Sequence, residues 1–248
     1  MSATTGFRRL VLELGHGSVD AAMIGRAAAF ARLMGAELHA LFVEDENLLR
    51  VSALPFAREI SSLSLQWRSL SLDRLETELR AAADQARRRF VAIADAAGVR
   101  QTFEVRRGDL AQSIDQLCVA SDIVVVTSSR REITFGQERL RDTVRRSAAS
   151  VLFLPRDGGR RDGSIIALVT DDDDPSLVVA RRIATQEGER LIVLRPASSA
   201  SVQDIAAAIG ARRERLIVMK SGGTERFAPD LAAARGVAVL VVEPRDAG

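Results

Sequence analysis

The chain has 248 residues, 47% of them hydrophobic, and carries 35 basic against 33 acidic side chains for a formal net charge of +2. That is enough for one large or two small packed domains, and the near balance of charge, the lack of tyrosine and an aromatic content of only 4% argue against a nucleic-acid partner. No apolar run is long enough to span a bilayer, the opening MSATTGFRRL lacks the apolar middle of a signal peptide, and the single cysteine, Cys118, can make no internal disulfide, so a soluble cytoplasmic protein without membrane association is expected.

Along the first part of the chain the pattern alternates strand and helix. Val11 to Leu14 reads as a strand, Gly15-His16-Gly17-Ser18 as a turn, and Val19 to Met34 as a helix whose buried stripe is Met23, Ala27, Phe30, Ala31 and Met34, with Gly35 as its left-handed stop. Leu38 to Val43 is a second strand, and Glu44 to Ser69 breaks the pattern as a loop with a short helix. From Ser71 to Ala97, Leu72, Leu75, Leu79, Ala82, Ala86, Phe90 and Ile93 recur by threes and fours, which predicts a long amphipathic helix. Phe103 and Val105 alternate in a third strand. The run from Gly108 to Arg130 then compresses an Asp109 cap, a helix with Leu110, Ile114, Leu117 and Cys118 on its apolar side, and the unalternating strand Ile123 to Val126. Arg139 to Ser147 predicts one more helix and Val151 to Leu154 a fifth parallel strand.

Residues 156 to 163, within the stretch PRDGGRRDG, read as a linker between a domain at 1–155 and a second at 164–248. The second repeats the order in shortened form. Strands are expected at Ile165 to Thr170, Leu191 to Leu194, Leu216 to Met219 and Val237 to Val242, with helices at Pro175 to Glu187, Val202 to Ile209 and Pro229 to Ala234. The long helix and the strand after it have no counterpart. The fold class is therefore α/β, with two doubly wound, Rossmann-like parallel sheets, the second abbreviated.

VLELGHGS, AELHALFVE, GDLAQSIDQLCVASDIVVV and SVLFLP together resemble the universal stress protein family over most of residues 7 to 155, and IIALVTDDDDP, RRERLIVMKSGG and VAVLVVEP resemble a degenerate second copy, as in tandem members. The resemblance implies strand order 3-2-1-4-5, a homodimer formed through the last strand of the first sheet, a regulatory or stress-tolerance role with a possible regulatory protein partner, and, in one branch of the family, ATP binding. ATP-binding members resemble one another in an Asp-Gly-Ser after the first strand, where this chain has His16-Gly17-Ser18. They also share a Gly-x-x-Gly, nine residues and Gly-Ser or Gly-Thr after the fourth, where it has Thr127-Ser128-Ser129-Arg130 and only Gly136 with Gln137. Glycine lets backbone N–H groups converge on a phosphate. With the acid and the glycines replaced, this site is degenerate and the usual mode of ATP binding is not expected there.

The second half retains one element of each kind. Asp171 and Asp172 follow its first strand, and Asp171 matches the position from which the family contacts adenine; Asp174 before Pro175 is a helix cap. Ser221-Gly222-Gly223-Thr224 follows the strand Leu216 to Met219, which takes the place of strand four in the first half, and resembles the pyrophosphate loop Ser-Gly-Gly-x-Asp-Ser of ATP pyrophosphatases, with Glu225-Arg226 in place of the last pair. Strands one and four flank the topological switch point, so both loops are expected at one cleft. His16 and His39, without a cysteine pair, do not make a zinc site. No Walker motif, nucleophile elbow or carboxylate pair is present, so no catalytic residue and no metal are assigned. Two functions compete: a non-enzymatic universal stress protein-like module in which ATP or AMP is an optional ligand, and a nucleotide-binding or nucleotide-hydrolysing protein that uses the strand-end loops of the second half.

Overall fold

A computed structural model describes residues 6–15, 20–60, 66–128, 149–155, 159–160, 162–197, 199–222 and 225–244, with Ser128 described for its backbone only. His16, Gly17, Ser18, Ser129, Arg130, Gly136, Gly223, Thr224 and the helix expected at Arg139 to Ser147 lie outside these residues.

The first half runs β1 (Arg9–Glu13), α1 (Ala21–Met34), β2 (Glu37–Asp45), α2 (Glu46–Ser52), β3 (Arg58–Ile60), β4 (Trp67–Ser69), α3 (Leu72–Ala96), β5 (Gln101–Gly108), α4 (Leu110–Leu117), β6 (Asp122–Ser128) and β7 (Ser150–Pro155). The second runs β8 (Ser164–Leu168), α5 (Pro175–Glu187), β9 (Leu191–Leu194), α6 (Val202–Ile209), β10 (Glu214–Lys220), a 3₁₀ turn at Glu225–Phe227, α7 (Ala228–Arg235) and β11 (Ala238–Val242). Helix starts follow the expected chemistry: Asp20, Asp109 and Asp174 accept from backbone N–H groups of the first turns of α1, α4 and α5. Inside the 44–69 insertion, the short helix is α2. The hairpin of β3 and β4, which the sequence reading takes as loop, pairs Ile60 with Trp67 across exposed three-residue strands.

The strands other than β3 and β4 form one nine-stranded sheet in the order β5-β2-β1-β6-β7-β11-β10-β8-β9. By position within each half this is 3-2-1-4-5 followed by 5-4-1-2, so β1 and β8 are equivalent central strands. Within each half neighbouring strands are parallel. The two expected sheets are thus merged, through the antiparallel pairing of Val151, Leu152 and Phe153 on β7 with Val241, Leu240 and Val239 on β11. The edge from which a second copy was expected to extend the first sheet is occupied by the chain's own last strand, and the antiparallel junction points the carboxyl ends of the two strand sets in opposite directions.

Alternation along the strands divides the core. Leu10, Leu12, Leu38, Phe42, Leu152, Ile165 and Leu240 meet α1, α3 and α5 on one face, while Val11, Leu41, Val124, Phe153, Ile217 and Val239 meet α4, α6 and α7 on the other. A buried ion pair ties strand to helix: Asp122, with no exposed surface, receives Arg9 Nη2 at 2.6 Å and Nε at 3.1 Å, and accepts Val119 N–H at 3.0 Å, while the same Nη2 donates to the Leu117 carbonyl at 2.9 Å. Burial alone would raise the Asp122 carboxyl, but Arg9 and the Val119 N–H hold it below the usual range. Cys118 is the small core residue expected of it, and burial pushes its thiol up to about 12.

Candidate functional site

Strand β8 hands over to α5 through a turn built on carboxylates. Asp174, buried, accepts Thr170 N–H at 2.9 Å and Ser176 N–H at 3.0 Å, and Ser176 Oγ lies 2.6 Å away. Asp174 is therefore the cap that the sequence predicts. Its neighbours face outward and are charge-paired. Asp171 Oδ2 accepts the Thr170 hydroxyl at 2.7 Å and the Lys220 ammonium at 3.0 Å, and Asp172 pairs with Arg195 just beyond β9. The Thr170 hydroxyl and then Lys220 hold Asp171 below the ordinary carboxylate range; Asp171 in turn raises Lys220.

Lys220 is the last residue of β10, so its contact with Asp171 joins the loops after β8 and β10, the neighbouring strands that correspond to the first and fourth of the first half, as the switch-point argument requires. Ser221 follows, its N–H committed to the Val242 carbonyl at 2.9 Å, and Gly222 adopts φ 92°, a conformation that a β-carbon would strain. Beside this cluster a cavity of about 330 Å³ opens between the ends of β8 and β9 and α6, with Leu168, Leu194, Pro196 and Ile205 as apolar walls and Arg195 and Asp204 as polar ones. Asp171, Asp172, Ser221 and Gly222 are thus brought to one end of the sheet. Lys220 and Arg195, which sequence reasoning did not select, supply the cations there, and the one available signal was that Lys220 is the only lysine in the chain.

At the opposite end of the sheet, Thr127 is half-buried near the end of β6, and Ser128 pairs with Pro155. Sequence reasoning also missed Glu13. It closes β1 beside Leu41 of β2, on the face of Val11 and Leu41, and burial raises its carboxyl to about 7. His39 lies 3.2 Å from Glu104 without hydrogen-bond alignment; it is buried, and burial and then Arg9 lower its pKa.

No protein-family model and no curated protein matches the sequence. Among solved structures, a universal stress protein from Archaeoglobus fulgidus aligns over 99% of this chain and 100% of its own with a TM-score of 0.61 at 15% identity. The fold is that of a universal stress protein. A functionally unknown protein from Pseudomonas aeruginosa aligns over 98% of this chain and 94% of its own, with a TM-score of 0.58 and 14% identity. The cytoplasmic domain of a prokaryotic cation chloride cotransporter aligns over 95% of each chain at a TM-score of 0.50 and 11% identity. The universal stress protein-like fold therefore spans both halves and their junction, and at these identities the likeness is one of fold.

Proposed function

We propose that the chain is a cytoplasmic, non-enzymatic regulatory module of universal stress protein type, and that its ligand is an adenine nucleotide held at the strand ends of the second half. The observation that carries this reading is the 3.0 Å contact of Asp171 with Lys220 across the switch point, next to a cavity of about 330 Å³. An apolar cavity with a few polar groups at its rim is what a nucleobase needs. Lys220 and Arg195, now neutralised by Asp171 and Asp172, are the cations that a phosphate would recruit by displacing the carboxylates. Self-association into a homodimer and a regulatory protein partner belong to the same proposal; with β7 paired to β11, a dimer would use a surface other than that edge.

The test is calorimetric titration of the intact chain with AMP. Binding should weaken at least tenfold in Lys220→Ala and Gly222→Val and persist in Ser128→Trp; the reverse pattern would move the site to the first half. ATP incubated with the protein should be recovered intact, whereas hydrolysis above the protein-free rate would favour the enzymatic alternative.

A further inference from the structure

A second cavity, about 590 Å³, lies where the halves meet on the face of α1 and α5. It is lined by Gly25, Arg26 and Phe30 of α1 together with Arg32 in its last turn, by Arg160 from the linker, by Glu187 at the end of α5 and by Arg215 at the start of β10. Four guanidinium groups and one carboxylate, Glu187, thus line the cavity, and Arg26 also pairs with Asp20 at 4.0 Å. Glu187 is itself held by Arg215 at 2.7 Å, and the partner of Arg160, the buried Glu214 at 3.0 Å, already takes two bonds from Arg235 at 2.8 and 3.1 Å. Positive charge therefore exceeds negative around the cavity. There is room above α1 here: a β-carbon on Gly25 would meet no atom within 4 Å.

We infer that this groove is a ligand site for an organic polyphosphate of nucleotide size, built jointly by the two halves. Guanidinium groups bind phosphate oxygens bidentately, and the volume falls within the range of about 300–1,000 Å³ usual for small-molecule sites. Phe30, half-buried, offers a ring to a flat organic body. Glu187 and Arg215 sit at the amino ends of the strands of the second half, away from Lys220, so the groove is separate from the strand-end cluster. A ligand there touches α1, the linker and α5 together and would tie the two halves to each other.

The decisive titration uses the full-length Lys220→Ala chain, in which the strand-end site is disabled, with ATP and with inorganic tripolyphosphate as probes. ATP should bind once per chain, and tripolyphosphate, lacking a body to meet Phe30, at least tenfold more weakly. Gly25→Leu, which fills the groove, and Arg32→Ala, on an exposed side chain, should each reduce ATP affinity at least tenfold without lowering the melting temperature. Absence of ATP binding in the Lys220→Ala chain, or an affinity indifferent to both groove variants, would overturn the site; tripolyphosphate binding as tightly as ATP would overturn the organic character of its ligand.

Discussion

Replacing Glu13 by glutamine should stabilise the protein at alkaline pH and leave it unchanged in acid. Burial raises this carboxyl from 4.5 to about 7 in the folded chain. Below pH 4.5 folded and unfolded chains both hold the proton and the residue contributes no pH dependence. Between about pH 4.5 and 7 the unfolded chain releases the proton while the folded chain keeps it, so stability falls as pH rises, and above about pH 7 the loss is complete. The rise from 4.5 to about 7 corresponds to a ceiling of about 3.5 kcal/mol, at about 1.4 kcal/mol for each tenfold change in proton affinity. Glutamine keeps the shape and cannot ionise. In a chain of this size each kcal/mol moves the melting temperature by about 2–4 °C, so Glu13→Gln should melt up to roughly 7–14 °C higher than the wild type at pH 8 and at the same temperature at pH 4. Thermal melts followed by circular dichroism at both values suffice. A variant that melts lower than wild type at pH 8 would mean that the folded chain holds Glu13 as a stabilised carboxylate, and the burial argument would fail.

Asp122→Ala leaves the part-buried Arg9 guanidinium with the Leu117 carbonyl but without its carboxylate and should cost up to about 3 kcal/mol, whereas Asp172→Ala breaks an exposed pair and should cost less than about 1 kcal/mol; urea melts compare them. Because Arg9 and the Val119 N–H hold the Asp122 carboxyl low, its contribution is present above the ordinary aspartate pKa and is lost as pH falls through the depressed folded value, a loss that Asp122→Ala should no longer show. Gly163→Ala should destabilise strongly, since φ is 128° there and a β-carbon would lie 2.7 Å from the Arg213 carbonyl oxygen, while Gly25→Ala in open helix should gain up to about 1 kcal/mol. Cys118, with its thiol near 12, should resist iodoacetamide at pH 8 until the protein is unfolded, as mass spectrometry of the alkylated chain would show.

The strands and helices of each half were legible because unalternating runs such as Ile123 to Val126 and Val237 to Val242 read as strands covered on both faces and capped helices separate them; their order in the sheet came only from the resemblance to the universal stress protein family. The union of the halves was not legible. SVLFLP and AVLVV are equally apolar, and nothing local states that one will pair with the other in reverse direction 90 residues away rather than with another copy. The hairpin of β3 and β4 escaped because Arg-Glu-Ile and Trp-Arg-Ser are too short to carry a period. At the candidate site, Asp171 and Gly222 were readable from their positions after strands, but the ion pair of Asp171 with Lys220 spans 49 residues and exists only through the packing of β8 beside β10. Glu13 reads as one polar residue in an apolar strand; its altered ionisation comes from what surrounds it.

The most direct measurement of the central claim is an amide NMR titration of the full chain with AMP. Shifts should concentrate at Asp171, Leu194, Arg195, Lys220 and Ser221, with Gly15 and Thr127 unmoved. Shifts centred on Gly15 and Thr127 instead, or none at millimolar AMP, would contradict a nucleotide site at the strand ends of the second half.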